Sequence, residues 1–401
     1  MNCDVNLGLP AALAAKWAVG REASAACFPE DGVFFLQEGF VKEIVALSGL
    51  CPEAQPAFFA AAAQIRSTPE LLAFAWHCHW RLNVAPAAIN AEHNPWPPKK
   101  ADFTVMGNQF FFVFPILAAL PRLKAYYAER GIPARILADT LHDLDVWAHT
   151  TYNLHGVWGY RDPRWLLNHT APNLFGLGRL QFQFGKRNNP CNTWSQETTG
   201  QVVIFPPDGQ RATEDGFFAH EDEPQAFTTI YNVDTDQETV TGTPVRPDGR
   251  IDQHPITLSL QEWKQPFVND DPMITIHIPA GAPLEFDACR DSLRQAIAFF
   301  PRFFPDFHFK GVQCGSWVFD PQLTDYLPAQ SNLVRFQTLF HRYPMANGSS
   351  WQIRERVFGD PELPLDKAPQ KTSLQKIVKK HLQEGRQWRS GCVIVMPEEI
   401  A

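Results

Sequence analysis

A histidine, a cysteine and a serine in the C-terminal part of the chain carry side chains that could move protons or attack an electrophile. His277 lies near the end of the alternating segment Met273–Ile278, and Cys314 and Ser316 share one face of the later segment Val312–Phe319. Histidine is the usual general base near neutral pH, and a thiol or hydroxyl can donate a proton or act as a nucleophile. We therefore treat these three residues as the candidate catalytic groups.

The segments that carry these residues form a predicted strand–helix–strand unit. Met273–Ile278 and Val312–Phe319 have the pattern of strands, Phe286–Phe300 that of an amphipathic helix, and Pro279–Leu284 that of a turn. A right-handed crossover makes the two strands parallel. The turn is then expected at the carboxyl end of a strand and at a helix N-terminus, a position that suits an anion.

The rest of the chain changes character near residue 160. Apolar spacing before that point predicts helices at Ala11–Ala18, Val41–Leu47, Ala57–Ile65, Pro69–Asn83, Phe110–Arg130 and Arg135–Thr151. Later segments predict strands at Leu180–Phe184, Val202–Phe205, Ile256–Leu260, Trp351–Phe358 and Cys392–Met396, and helices at Ser331–Phe340 and Thr372–Leu382. We predict a helical N-terminal domain at residues 1–160 and a second domain at residues 161–401, with a polar insertion at about 208–252.

Composition excludes several classes of function. The chain has 401 residues with 35 basic and 43 acidic side chains, and a net charge of −8 argues against nucleic acid as a partner. The longest apolar run, Val105–Leu120, is shorter than the roughly 20 residues of a membrane span, so no membrane partner is expected. Eight scattered cysteines and a start without a basic secretory region predict free thiols in the cytoplasm.

Metal and nucleotide motifs are absent from the sequence. His77-Cys78-His79 is predicted to be helical, and residues two apart on a helix point in opposite directions, so this group cannot chelate one ion. The chain has no His-Glu-x-x-His, Gly-x-Ser-x-Gly or P-loop pattern. No metal cofactor is therefore expected.

Between about residues 105 and 390 the chain carries a series of segments that match a known family in order. They are Trp165–His169, Leu177–Phe182, His277–Leu284, Cys289–Leu293, Ser316–Pro321, Leu327–Asn332, Phe336–Gln337 and Thr372–Gln375. These segments resemble those of a bacterial family of two-domain acyltransferases, in which a helical N-acyltransferase N-terminal domain precedes a GNAT-like C-terminal domain. The resemblance implies an α+β fold, in which a helical N-terminal domain packs on a GNAT-like mixed β-sheet domain with flanking helices.

The resemblance also implies a reaction. An acyl-CoA, either acetyl-CoA or another, would bind between the two splayed parallel strands, and a small amine would attack its thioester. The turn would hold the CoA diphosphate through backbone N–H groups, with Ile278, Ala280, Gly281 and Ala282 as the cofactor-binding residues. His277 would take the proton of the amine. The only protein partner considered is a second copy of this chain, which would form a homodimer.

The turn departs from the pattern that is usual in GNAT enzymes. The sequence Gln/Arg-x-x-Gly-x-Gly/Ala occurs nowhere in the chain, Pro279 and Pro283 lack N–H donors, and the acidic Glu285 and Asp287 follow. This departure favours an alternative, a non-catalytic module that binds a small molecule or a protein. A third interpretation is a hydrolase with Cys314 as nucleophile, which would need His277 within hydrogen-bond reach.

Overall fold

The computed structural model describes residues 18–85, 108–346 and 348–400 and divides the chain into two compact units. The first unit comprises Met1–Gln181 together with Ile278–Ala282, and the second comprises Phe182–His277 together with Pro283–Ala401. The secondary structure is α+β, as expected. None of the described helices is long and apolar enough to span a membrane.

Helices build most of the first unit. They are α1 (Arg21–Ala26), α2 (Glu38–Ser48), α3 (Gln55–Ser67), α4 (Pro69–His79), α5 (Val113–Leu117), α6 (Leu120–Glu129), α7 (Ala134–Leu141), α8 (Asp143–His155) and α9 (Pro163–Thr170). Short helical turns occur at Phe34–Leu36 and Trp80–Val84, and the unit continues into strand β1 (Leu174–Leu177) and the start of β2 (Leu180–Lys186).

The predicted N-terminal helices are confirmed with shifted ends, and two of them are divided. The segment Phe110–Arg130 contains α5 and α6 separated by a break before Pro121, whose missing N–H cannot continue a helix. The segment Arg135–Thr151 contains α7 and α8. The helix expected at Ala11–Ala18 lies outside the described residues except for its last residue.

Strands dominate the second unit. After β2 they are β3 (Asn192–Gln196), β4 (Val202–Phe205), β5 (Arg211–Ala212), β6 (Phe227–Thr228), β7 (Tyr231–Asp234), β8 (Thr239–Gly242), β9 (Ile256–Ser259), β10 (Trp263–Lys264), β11 (Pro272–His277), β12 (Val312–Ser316), β13 (His341–Pro344) and β14 (Gly391–Val395). Its described α-helices are α10 (Phe286–Phe303), α11 (Asn332–Gln337), α12 (Ser350–Phe358), α13 (Ser373–Gln383) and α14 (Pro397–Ile400). The main sheet of this unit has the order β2-β11-β12-β14-β13.

The predicted strand–helix–strand unit is confirmed as β11, α10 and β12. Strands β11 and β12 run parallel, whereas β12 pairs with β14, and β14 with β13, in the antiparallel sense. The sheet is therefore mixed. In β11 the alternation that predicted a strand is present from Ile274 onwards, because Ile274 and Ile276 are buried while Thr275 and His277 are half-buried.

The two faces of the main sheet are covered differently. On one face, the ring of Phe184 in β2 lies 5.2 Å from that of Phe300 in α10. On the other face, Met273 of β11 and Ile394 of β14 belong to an apolar cluster that includes Phe218 from the 208–252 segment. That segment, expected from its composition to be a polar insertion, thus contributes buried side chains to the core of the second unit.

One predicted strand is wrong. The segment Trp351–Phe358 forms α12, which begins where the Ser349 hydroxyl accepts a hydrogen bond of 3.4 Å from the N–H of Trp351. Ile353 and Val357, one helical turn apart, pack in the same apolar cluster. In this stretch apolar residues occur both two and four positions apart, so the pattern fits a strand or a helix. The helix forms because the residues spaced by four pack together in the core.

Candidate functional site

The parallel ladder between β11 and β12 is short. It pairs Ile274 with Val312 and Thr275 with Gln313, whereas β12 continues its ladder with β14 as far as Ser316. The backbone carbonyl of Ile276, the next residue of β11, accepts a hydrogen bond of 3.3 Å from a side chain of β12 rather than from its backbone. The two parallel strands therefore stop pairing before the turn that follows β11.

His277 lies at the end of β11 on the face that also carries Thr275. Its side chain is half-buried, and its Nε2 atom lies 2.7 Å from Oε1 of Gln183 in β2. An amide oxygen only accepts hydrogen bonds, so this contact assigns the proton of a neutral ring to Nε2 and makes Nδ1 the basic nitrogen. Sequence reasoning named His277 but not Gln183, which is an ordinary polar residue of an alternating strand.

Gly185 explains how β2 and β11 approach each other beside this pair. A Cβ atom at position 185 would lie 2.2 Å from Oγ1 of Thr275 and 3.3 Å from the carbonyl oxygen of Met273. A side chain at position 185 requires the Thr275 side chain or one of the strands to move. Gly185 thus helps to set the separation at which Gln183 meets His277.

Cys314 lies on the opposite face from His277. Because Gln313 is paired with Thr275, Gln313 shares a face with His277, and the next residue of β12 points the other way. The Cys314 thiol is buried and donates to the Ile276 carbonyl, and burial, followed by the neighbouring Cys392, raises its pKa to about 12. A thiol in this state is a poor nucleophile, so the geometry does not support the hydrolase interpretation.

Ser316 ends β12 and is almost fully buried. Its hydroxyl accepts a hydrogen bond of 3.3 Å from the N–H of Val318 and so caps the short helical turn Trp317–Phe319. The same face carries Cys314, as the strand alternation predicts. This placement favours structural roles for Ser316 and Cys314 over a role in proton transfer.

A buried carboxyl group follows this turn. Asp320 accepts hydrogen bonds from the backbone N–H groups of Gln322 at 2.9 Å and Arg389 at 2.6 Å. Its burial raises the pKa to about 7, and the two N–H donors only partly oppose this effect. The contacts fix the chain that leaves β12 against the residues that enter β14.

The predicted cofactor-binding residues lie together in the turn after β11. Ile278 is half-buried and Ala280, Gly281 and Ala282 are exposed. Within the described part of the chain, the N–H groups of the three exposed residues donate no hydrogen bond. Gly281 has a φ of +96°, a conformation that glycine adopts without strain. These three N–H groups are therefore candidate donors for an anion over a short stretch of backbone.

Arg179 holds this turn, although it is not among the site residues that the sequence predicts. Its guanidinium donates hydrogen bonds to the carbonyl oxygens of Pro279 at 2.9 Å and Ala282 at 2.6 Å. The contact brings a positive charge to the turn, where the sequence offered only acidic neighbours. The signal was available, because Arg179 belongs to the segment Leu177–Phe182 that resembles the acyltransferase family.

The start of α10 also carries more positive charge than the sequence pattern indicated. Arg290 forms an ion pair of 2.9 Å with Asp287. The ring of Phe286 lies 5.5 Å from the guanidinium carbon of Arg290 and 4.8 Å from that of Arg335. The acidic charge that was expected to disfavour an anion near this helix is therefore balanced by neighbouring arginines.

A pocket of about 400 Å³ in the first unit has the turn as part of its lining. Ala280, Gly281 and Ala282 contribute to it, together with side chains of α7 and α8 that include Asp139 and Asn153. The volume lies within the range of small-molecule sites in proteins. The pocket combines the residues of this turn with polar side chains.

Two known domain families match consecutive parts of the chain. The family described as the GNAT-like C-terminal domain matches residues 174–395, more than half of the chain, and the N-acyltransferase N-terminal domain matches residues 40–171. No curated protein matches the chain.

Solved structures of the same fold are similar over nearly the whole chain. One is an acyltransferase mutant in complex with octanoyl-CoA, and another is an acyltransferase in complex with CoA and 10C-teicoplanin. Each is 22% identical, with 98% of both chains covered and a TM-score of 0.65. A third, in complex with decanoyl-CoA and teicoplanin, has a TM-score of 0.64. At this identity the likeness shows the fold.

Proposed function

The chain belongs to the family that joins an N-acyltransferase N-terminal domain to a GNAT-like C-terminal domain, and from this premise we propose that it transfers an acyl group from acyl-CoA to a small amine. The observation that carries the proposal is the early end of the β11–β12 ladder, followed by a turn in which three N–H groups donate no hydrogen bond within the described part of the chain. Two parallel strands that stop pairing leave backbone groups for a ligand. A turn at a helix N-terminus adds donors for an anion.

The CoA diphosphate is proposed to bind the turn. The N–H groups of Ala280, Gly281 and Ala282 are the donors, and they serve this role without the usual glycine-rich sequence because these residues are exposed and Gly281 has a positive φ. Arg179 fixes the turn through two carbonyl oxygens and adds positive charge. Charge-assisted hydrogen bonds to phosphate are stronger than neutral ones.

His277 is proposed as the general base. The amine nitrogen attacks the thioester carbon, the new C–N bond forms, and the C–S bond breaks to release CoA. The proton lost by the nitrogen passes to Nδ1 of His277. The protonated ring then gives this proton to the departing CoA sulfur, so that CoA leaves as a thiol and the ring returns to its neutral form. The Gln183 contact at Nε2 orients the ring and keeps Nδ1 as its basic atom.

The acceptor is proposed to be a small, polar amine. A volume of about 400 Å³ beside the turn supports a small molecule, and the lining supplies carboxylate, amide and hydroxyl groups from Asp139, Asn153 and Thr150. Two of the similar structures contain teicoplanin or 10C-teicoplanin, which makes a glycopeptide the comparison substrate for a test.

The test mixes the full chain with acetyl-, octanoyl- or decanoyl-CoA, with and without a panel of small amines and teicoplanin, and measures free CoA thiol. Thiol release that requires both substrates supports the transferase. Release without an amine would indicate a thioester hydrolase instead. A rise in melting temperature with CoA but no turnover would support the binding module, since ligand at 100 times its Kd adds about 2.7 kcal/mol.

A further inference from the structure

Three potential metal ligands from distant parts of the sequence meet in the first unit. The ligand atoms of Cys51, Asp145 and His149 all lie within 4.8 Å of one another. Asp145 and His149 are four residues apart on α8, so their side chains share one helix face. Cys51 comes from the connection between α2 and α3.

The connection that carries Cys51 is held in place by its neighbours. Gly49 ends α2 in a left-handed conformation, with a φ of +62°, and Leu50 is buried. The N–H of Cys51 then donates a hydrogen bond of 2.8 Å to Oδ1 of Asp145. The other carboxylate oxygen of Asp145, Oδ2, lies 3.3 Å from the Nδ1 atom of His149, and this nitrogen also lies 3.1 Å from the backbone carbonyl oxygen of Asp145.

One sulfur, one oxygen and one nitrogen ligand suit a zinc ion. Zinc binds thiolate at about 2.3 Å and imidazole or carboxylate at about 2.0–2.2 Å in tetrahedral geometry. Neighbouring ligand atoms around such an ion lie roughly 3–4 Å apart. The three ligand atoms therefore need to move only slightly closer together to hold one ion. Calcium and magnesium prefer oxygen ligands and fit a thiolate poorly.

We propose that Cys51, Asp145 and His149 bind one Zn²⁺ ion. Asp145 and His149 also line the pocket of about 400 Å³, so a water molecule or a ligand donor from this pocket fills the fourth position. On binding, the Cys51 thiol releases its proton and the sulfur forms a bond to the metal. The ion would connect the α2–α3 loop to α8. The sequence does not reveal this site, because residues 51 and 145 are brought together only by the fold.

Zinc binding is tested on the full chain without acyl-CoA, so that its outcome is independent of the proposed transfer reaction. Metal-free protein is titrated with Zn²⁺ against a chromophoric chelator, and Co²⁺ is substituted to record the absorption spectrum. We expect one ion per chain and a thiolate-to-cobalt charge-transfer band in the near ultraviolet. Cys51→Ser and His149→Gln should each weaken Zn²⁺ binding more than about tenfold, and Cys51→Ser should remove the band.

Cys27→Ser is the matched control, because Cys27 is a free, exposed thiol outside the cluster. This variant should bind Zn²⁺ as the unaltered chain does, and thermal melts in chelator should show that all variants fold. Zinc affinity that is unchanged in Cys51→Ser or His149→Gln would overturn the proposal. So would stoichiometric cobalt binding without the thiolate band, or no zinc binding in competition with the chelator.

Discussion

Replacing Gly185 by alanine tests how the β2–β11 spacing supports the candidate site. The new methyl group would start 2.2 Å from Oγ1 of Thr275, whereas ordinary van der Waals contact begins at 3.4 Å. The backbone at 185 does not adopt a positive φ, so the effect is steric. Overpacking of this kind costs about 1–3 kcal/mol of unfolding free energy. The same displacement should lengthen the 2.7 Å contact between Gln183 and His277 and lower kcat.

A double-mutant cycle isolates the collision. Thr275→Ala removes the Oγ1 atom, after which the nearest atoms to a Cβ at 185 are the Met273 carbonyl oxygen at 3.3 Å and the Cβ of residue 275 at 3.4 Å. Urea denaturation should show that Gly185→Ala is destabilising alone and nearly neutral beside Thr275→Ala, with a coupling of about 1–2 kcal/mol. Gly39→Ala in α2 is the control, since nothing lies within 4 Å of its Cβ position and alanine favours a helix. A coupling near zero would refute this reasoning.

Other substitutions test individual groups of the site. His277→Gln should reduce kcat by about 10²–10⁴-fold in the thiol-release assay, with little change in melting temperature, and full activity would exclude it as the base. Arg179→Met should raise the KM for acyl-CoA more than it lowers kcat, and an unchanged KM would remove its role in the turn. Cys314→Ala should keep kcat within a few-fold, whereas loss of turnover in a folded variant would contradict its structural role. Asp320, with a pKa raised to about 7, holds more protons in the folded than in the unfolded state between about pH 4 and 7. Its contribution to stability is therefore full at low pH, falls as pH rises through this range, and is lost once pH exceeds the folded pKa. Urea denaturation from pH 5 to 8 should show that Asp320→Asn flattens this decline, and equal slopes in both proteins would contradict the assignment.

Local patterns were sufficient for the elements that surround the site. The alternation of Met273–Ile278 and the helical spacing of Phe286–Phe300 predicted β11 and α10, because the burial of Ile274 and Ile276 and of one face of α10 follows the period of each element. The stretch Trp351–Phe358 was assigned to the wrong element because its few apolar residues fit two spacings. The packing of Ile353 and Val357 in one apolar cluster decides in favour of the helical spacing, and this packing depends on residues far along the chain.

Contacts between distant residues could not be predicted from spacing. Arg179 reaches the carbonyl of Pro279 across 100 residues of sequence, and Cys51 meets Asp145 across 94. The pairing of Thr275 with Gln313 likewise decides that His277 and Cys314 point to opposite faces, which the sequence left open. Strand register and loop packing set these relations, and neither leaves a periodic signal.

The most direct test of the central claim is a crystal structure of the full chain with a non-hydrolysable acyl-CoA. The account predicts diphosphate oxygens about 2.7–3.2 Å from the backbone nitrogens of Ala280, Gly281 or Ala282, with the acyl chain in the gap beyond the last β11–β12 pair. A bound acyl-CoA whose diphosphate lies elsewhere, with these N–H groups still exposed to solvent, would contradict it.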